Sequence, residues 1–461
     1  MLLRHKMRWR LYFTLAAAWA GLAAPCQAVT LTELQQLAVA NRDHITRSRL
    51  DVRESELNAG IRRSANYPLA DLRYTANKLD ESSLFENKEN SELAGVLSYN
   101  LFAGFRDKYA IEAADLLVES QRYKLQNEIQ ELLLQVALRY LDLYARRENL
   151  KVAADELSLL DKRYEDATFR FDVGLIRKND LLRIKVERSN ALQNRASAQA
   201  DYEMGLHLLN FEVGAQVDPE SISFAELDQL PEIHEEAYYR QAMFERRAEI
   251  KSLEKIVDSQ EKQIAVNRAD YWPSVNVSAG YRKYGDNYTW GESDDNPEDE
   301  VRLQASVNFN LFDGFAKIKR VDRAKVQMHA SQRDLNELKN SLKTLLGNIL
   351  IEVDVSLRNL SVADVGIAQA EENLRVIEAA FDEGLETATE VLDAIFLLSQ
   401  AKLNYINARS QVFRDYFRLL RLIDGFEVAG NESAAPPPEG PEPPQTPRES
   451  PKNQNPEPGP G

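Results

Sequence analysis

The chain states one structural instruction twice. LFAGF at residues 101–105 returns as LFDGF at 311–315, and RFDVGL at 170–175 returns as AFDEGL at 380–385, each 210 positions on. Ahead of these motifs the offset is smaller: Ile45 and Pro68 match Ile250 and Pro273, 205 positions on, with Tyr67 facing Trp272. Self-similarity at a fixed spacing means that one unit is built twice. The residues gained between the landmarks belong in a loop, where DNYTWGESDDNPEDE (286–300) outgrows the region around DESSLFENKEN (80–90). Any fold for this chain has to contain two equivalent halves.

Each half reads as helix, strand, loop, strand and then two long helices. Along 301–311, Val301, Leu303, Ala305, Val307, Phe309 and Leu311 alternate with Arg302, Gln304, Ser306, Asn308 and Asn310. That is the two-residue period of a strand with one apolar face. The first copy carries the same alternation at Leu97, Tyr99 and Leu101, and the partner strands repeat it at Ala70, Leu72, Tyr74, Ala76 and at Val275, Val277, Ala279, Tyr281. Taken singly, such a hairpin fits a small soluble sheet. Strands of about ten residues also cross a bilayer when tilted. Lipid tolerates no open sheet edge, and four strands are too few to close a barrel, which takes about eight. A membrane reading therefore demands several chains per barrel.

The helices carry the second argument. The first long run, from about 106 to 171, would span roughly 100 Å. Apolar residues recur every seven positions at Val136, Leu143, Leu150, Leu157, Tyr164 and Phe171, and again at Leu346, Val353, Leu360, Ile367, Leu374 and Phe381. A companion seam holds Ala153, Leu160 and Ala167, then Ala363, Ala370 and Ile377. Sevenfold spacing means helices wound around neighbours rather than packed into one globular core.

The ends of the chain decide its compartment. Arg4, Lys6, Arg8 and Arg10 precede the apolar LYFTLAAAWAGLAA and a small-residue cleavage site after Ala28, which together read as an export signal over 1–28. The only cysteine, Cys26, leaves with that signal, so no disulfide or thiol site is expected. Lipidation of Cys26 is the competing reading, against which Pro25 stands where a lipoprotein signal wants a small residue. No apolar run of about 20 residues follows, so no membrane-spanning helix is expected. The balance of 57 Lys+Arg against 73 Asp+Glu argues against a nucleic-acid partner. Residues 428–461 are rich in proline, glutamate and asparagine and read as a disordered tail.

These motifs, with LQQLAVANR at 34–42, make the chain resemble the TolC family of outer-membrane channel proteins over about 31–427. The resemblance implies a mixed α and β membrane protein: a long antiparallel α-helical barrel continued by a transmembrane β-barrel, with four strands per subunit of a homotrimer. It implies a passive exit duct for type I protein secretion or small-molecule efflux. The implied partners are a periplasmic adaptor, an inner-membrane ABC or proton-driven transporter and outer-membrane lipid. The expected organisation is a first repeat over 29–214 with a β-hairpin at about 69–102 and a helical hairpin at 105–214. A linker follows at 215–234, then a second repeat over 235–427 with its hairpins at about 273–312 and 315–427. A periplasmic coiled-coil adaptor or a structural protein without a barrel is the alternative.

Two turns hold the expected sites. Gly104 and Gly314 lie where a strand gives way to a helix, so Leu101, Phe102, Leu311 and Phe312 would mark the inner edge of the bilayer. Gly174 and Gly384 lie where a helix stops and reverses. Around them Phe171, Leu175, Asp180, Phe381, Leu385 and Glu386 form the expected tip gate and adaptor contact, and TATE at 387–390 reads as a capping box. The resemblance places the acidic ring of the periplasmic entrance on Glu390 and Asp393, one helical turn apart. The simpler reading makes Glu390 a cap and Asp393 a solvated charge. The family's gating arginine position holds Glu386, so its ion pair to the Asp180 position cannot form, and Arg177 and Lys178 stand nearby as substitutes. No cofactor, metal site or enzyme motif is expected: the histidines His44, His207, His234 and His329 have no ligand spacing.

Overall fold

Proline and glycine set the punctuation, and the elements fall between. In the computed structural model, which describes residues 28–81, 88–285, 288 and 299–427, the first half runs α1 (Leu31–Asn41), α2 (Asp43–Arg63), β1 (Leu69–Lys78), β2 (Glu89–Ala103), α3 (Arg106–Asp172) and α4 (Lys178–Val213). The second half repeats the order: α5 (Glu236–Arg246), α6 (Ala248–Arg268), β3 (Ser274–Gly285), β4 (Asp299–Asn308), α7 (Ala316–Asp382) and α8 (Ala388–Leu422). The protein is mostly helical with one small antiparallel sheet. The export signal up to residue 27, the tail from 428 and most of both hairpin loops lie outside the described residues. Among the described residues no helix is long and apolar enough to cross a membrane.

The sheet runs β1-β2-β3-β4. Leu69 faces Ser98 in the first hairpin, and Ser274 faces Asn308 in the second, the same pair under the two sequence offsets. Residues opposite each other in a ladder share a face, so Ala70, Leu97, Ala279 and Leu303 form one apolar row across all four strands. The row on the other face runs Asp71, Val96, Gly280 and Arg302. Leu72, Val301 and Leu303 on the apolar side are 79%, 75% and 80% exposed.

The two hairpins differ at their lower ends. β2 continues past Ser98 to Ala103 because β3 pairs with it there, with Leu101 as the extra residue of a bulge between the Asn100 and Phe102 pairs. β4 stops at Asn308, so Phe309 to Leu311, whose alternation predicts strand, are not in one. Among the described residues no strand lies beside them, and a strand exists only where its ladder has a partner.

At both strand-to-helix junctions two consecutive residues take the left-handed conformation, Gly104 and Phe105 with φ of 64° and 64°, Gly314 and Phe315 with 66° and 69°. The phenylalanine in each pair is held by an edge-on ring, Phe102 on Phe105 at 5.3 Å and Phe312 on Phe315 at 5.4 Å. The repeated pentapeptide is thus a turn and its own aromatic clamp.

The sevenfold ladders point inward. Val136, Leu143, Leu346, Val353 and Leu360 are buried, with α3 packed along α4 and α7 along α8. Apolar side chains collect in clusters along the bundle. One joins α1, α3, α4 and the end of α8 around Leu34, Val136, Tyr140 and Phe417. A second joins α5, α6, α7 and α8 around Met243, Ile250 and Leu346.

Two findings depart from the linear reading. The single opening helix of each half is broken at Arg42 and at Arg247, whose backbones are extended or nearly so. Arg42 donates to the Phe211 carbonyl at 2.9 Å, and Arg247 to the Arg421 carbonyl at 3.0 Å. Each break frees an arginine to satisfy the last carbonyls of its half's second long helix, which no intrahelical donor reaches. The stretch 215–234, read as a linker, is packed: Ile222, Phe224 and Leu227 are buried, and the Tyr140 hydroxyl donates to the Ser223 carbonyl at 2.5 Å.

Asp415 is fully buried on α8, accepting from Gln411 at 2.8 Å, with the Arg418 guanidinium 3.5 Å from the same oxygen. Burial pushes its carboxyl above the usual carboxylate range, against the opposing hydrogen bonds from Ser356 and Gln411 and the Arg418 charge. A group raised in the fold favours folding at low pH, and the cost of ionising it appears as pH rises through the folded value. Asp415→Asn is therefore expected to gain about 1 kcal/mol at neutral pH, and the gain should vanish at pH 4. Thermal unfolding at both pH values checks it.

Candidate functional site

The two helical hairpins turn at 173–177 and 383–387. At the first, Gly174 takes φ 76°, its N–H donating to the Phe171 carbonyl at 3.0 Å and the Leu175 N–H to the Arg170 carbonyl at 2.7 Å. At the second, Gly384 takes φ 75°, with the bonds to Phe381 at 3.0 Å and from Leu385 to Ala380 at 2.9 Å. Each is the two-bond left-handed cap that satisfies the orphan carbonyls of a helix end. Leu175 and Leu385 project from the turns, 73% and 79% exposed.

The restart differs between the tips. At α8, Thr387 accepts from the Glu390 N–H at 3.4 Å; the reciprocal bond of a capping box is not formed, and the Glu390 side chain is exposed. Asp393 is exposed one turn on, next to Phe396 at 61% exposure on the same side of α8. The opposite side of α8 is closed by Val391, Leu392, Ala394 and Ile395, which pack with Leu157, Leu160, Ala167 and Ile184 of the first hairpin. Burial of that side aims the two carboxylates away from the chain's own core. At α4 the Asp180 carboxylate accepts from the Arg177 N–H at 3.3 Å, spent on its own helix start.

The ion pairs between the tips fall on residues the linear reading did not name. Arg170 contacts Asp382 at 2.9 Å across the hairpins and Asp166 at 2.8 Å on its own helix, with its guanidinium 5.0 Å from the Phe381 ring centre. Arg163 pairs with Glu378 one helical step higher. Arg177 and Lys178 take no part in any described ion pair across the tips. The signal for Arg170 was present in the repeat itself: RFDVGL and AFDEGL differ at their first residue, Arg170 against Ala380. Farther up, burial raises the Glu156 carboxyl, with the Ser399 hydroxyl opposing.

The structure brings Phe171, Phe381, Asp180, Glu386, Glu390 and Asp393 to one end of the bundle, on α3, α4, α7 and α8 and their turns. Leu101, Phe102, Gly104, Leu311, Phe312 and Gly314 gather where the sheet meets the helices. Among the described residues no cluster of His, Cys, Asp or Glu is arranged to hold a metal ion.

The family model described as "Outer membrane efflux protein" matches residues 34–207 and 239–425, both halves of the duplication. The chain belongs to that family. It is an outer-membrane exit duct, for efflux or type I secretion, that extends into the periplasm. The outer membrane efflux protein BepC of Brucella suis is 21% identical over 85% of this chain and 84% of its own length. The alkaline protease secretion protein AprF of Pseudomonas aeruginosa is 22% identical over 70% of this chain and 68% of its own. Among solved structures, the Vibrio cholerae outer membrane protein VceC superimposes with a TM-score of 0.71 at 16% identity, covering 86% of this chain and 96% of that one.

Proposed function

We propose that three copies of this chain close one twelve-stranded barrel in the outer membrane, continued by a helical tunnel that ends at the 173–177 and 383–387 turns. The observation that carries the reading is the four-stranded sheet with an exposed apolar face and both edges, β1 and β4, unpaired among the described residues. Lipid solvates that face, and only closure against further strands satisfies those edges. The duct is passive; energy comes from an inner-membrane ABC or proton-driven transporter, reached through a periplasmic adaptor that docks on the tips around Leu175 and Leu385. Outer-membrane fractionation followed by mass measurement in detergent tests the assembly. A mass of three chains is expected, and a soluble monomer would sink the reading.

Glu390 and Asp393 line the entrance in this reading. Three copies put six carboxylates around one constriction, where low-dielectric walls focus their field and favour cations. Glu390→Ala/Asp393→Ala is expected to lower the cation preference of single channels several-fold, with thermal stability unchanged because both side chains are exposed. An unchanged preference would return Glu390 to a plain helix-start residue.

A further inference from the structure

A polar cavity of about 490 Å³ lies where α3, α4 and α8 run side by side. Asp142, Arg146 and Asn149 line it from α3, Asp201 from α4, and Ser410 and Arg414 from α8, while the small side chains of Ala145 and Ala198 leave room between them. That volume falls within the range of small-molecule sites, about 300–1,000 Å³. The side on which it opens follows from the helix period. Tyr140, Tyr144 and Arg147 of α3 pack on Phe224, and Asp142, Arg146 and Asn149 each come two residues after one of them, about 200° further round the helix. On α8, Arg409 donates to the Asp228 carbonyl at 2.8 Å, and Gln411, two residues on, lines the cavity. The packed 215–234 segment therefore covers one side of these helices and the cavity opens on the other. A second layer can sit only outside a tunnel that stays open, so in the duct reading above the cavity faces the lumen.

The charges of the cavity are split between its two sides. Arg146 lies 2.9 Å from the Asp142 carboxylate and 3.9 Å from that of Asp201, and donates to the Asp201 carbonyl at 2.9 Å. Two carboxylates thus share one guanidinium, and the α3–α4 side keeps an excess of negative charge, with the half-exposed Asp201 carboxylate the less firmly held. On the α8 side Arg414 enters no ion pair among the described residues. Its Nε, the Ser410 hydroxyl and the Asn149 amide oxygen are buried without a hydrogen-bond partner, and Ser410 is only 4% exposed. Buried polar atoms left unpaired are costly, and three of them meet at this one cavity.

We propose that this cavity binds a zwitterion, an amino acid or short peptide in transit, with its carboxylate on Arg414 and Ser410 and its ammonium group on Asp201 and the Asn149 amide oxygen. A simple anion would leave the excess carboxylate beside it unanswered, and a simple cation would meet Arg414. The site is not a by-product of the duplication: 210 positions on, Arg146 is replaced by Ser356 and Asp201 by Gln411, so the second half does not repeat the charges. The assignment gives the duct a substrate class. Its place on the lumen wall rests on the duct reading, whereas the binding chemistry rests on the chain alone.

L-Alanyl-L-alanine is the probe, titrated calorimetrically into the purified protein in detergent. Saturable binding at one site per chain is expected. It should weaken by at least about ten-fold when the amine of the dipeptide is acetylated, when its carboxylate is amidated, and in Arg414→Gln or Asp201→Asn, because each change removes one charge-assisted contact. Thermal unfolding of both variants is expected to match the unsubstituted protein, which separates lost binding from lost structure. A folded protein that does not bind the dipeptide, or binds its capped forms equally well, overturns the proposal and leaves the cavity to solvent. Undiminished binding by Arg414→Gln overturns it too, since the dipeptide would then sit elsewhere. In planar bilayers the dipeptide should reduce the single-channel current of the unsubstituted protein and not that of Arg414→Gln. Binding without a change in current would put the cavity off the conduction path and sink the transit role while the duct reading stands. A monomer that forms no channel would sink the duct reading and the transit role with it, and the calorimetry would still decide the site.

Discussion

Gly104→Ala is expected to destabilise the protein by about 2–5 kcal/mol, while the chemically identical Gly174→Ala costs about 1–2 kcal/mol. Both glycines have positive φ, 64° and 76°, where a Cβ costs roughly 1–2 kcal/mol. Only Gly104 is also enclosed. A Cβ there would come within 2.6 Å of the Ala269 carbonyl oxygen and 2.8 Å of the Trp272 Cβ, atoms of the 3-10 turn that ends α6, whereas nothing lies within 4 Å of a Cβ on Gly174. Backbone cannot yield as a flexible side chain does, so an overpacking cost of about 1–3 kcal/mol is added. Urea midpoints of the two variants, followed by helical circular dichroism, measure the difference. Equal losses would mean that the junction is loose and that left-handed geometry alone selects glycine.

The second large effect lies at the opposite end of the second half. Arg421 is buried and binds Asp424 at 2.8 Å, Glu131 at 3.1 Å and the Asn127 side chain at 2.7 Å. Asp424 also accepts from the Ala248 N–H at 2.7 Å, and burial raises its carboxyl against the opposing Ala248 bond and Arg421 and Arg247 charges. Arg421→Met leaves that carboxylate in the interior beside only the more distant Arg247, and breaking a buried pair from one side costs about 3–5 kcal/mol. Arg421→Met/Asp424→Asn removes the stranded charge and should recover most of the loss, since asparagine also tolerates the left-handed backbone, φ 48°, at that position. If the double variant were no more stable than the single one, the contacts to Glu131 and Asn127 would be the dominant ones.

The linear pattern carried the large features because each obeys a local rule. Two-residue alternation depends only on which side of a pleat faces lipid or core, so Ala70, Leu97, Ala279 and Leu303 could be assigned to one face before any pairing was known. Sevenfold repetition likewise put Val136 and Leu346 in helix seams. Gly174 and Gly384 could be read as helix stops because a left-handed cap wants glycine whatever surrounds it.

The rest depended on partners remote in sequence. Nothing local to Arg42 or Arg247 announces a helix break; the arginine leaves the helix because a carbonyl at the end of another helix, at Phe211 or Arg421, needs a donor. Nothing local to Phe309 ends β4; it ends where the ladder to β3 ends, with no other described strand beside it. The Arg170–Asp382 contact spans the two halves of the duplication, and only packing of the hairpins brings them within reach. By itself, then, the sequence determined the duplicated order of elements, their buried faces and their turns, all governed by periods of two to seven residues. Tertiary structure alone decided where those elements end and which charges meet, because hydrogen bonds and ion pairs are completed by whichever group the fold brings into contact, at any distance along the chain.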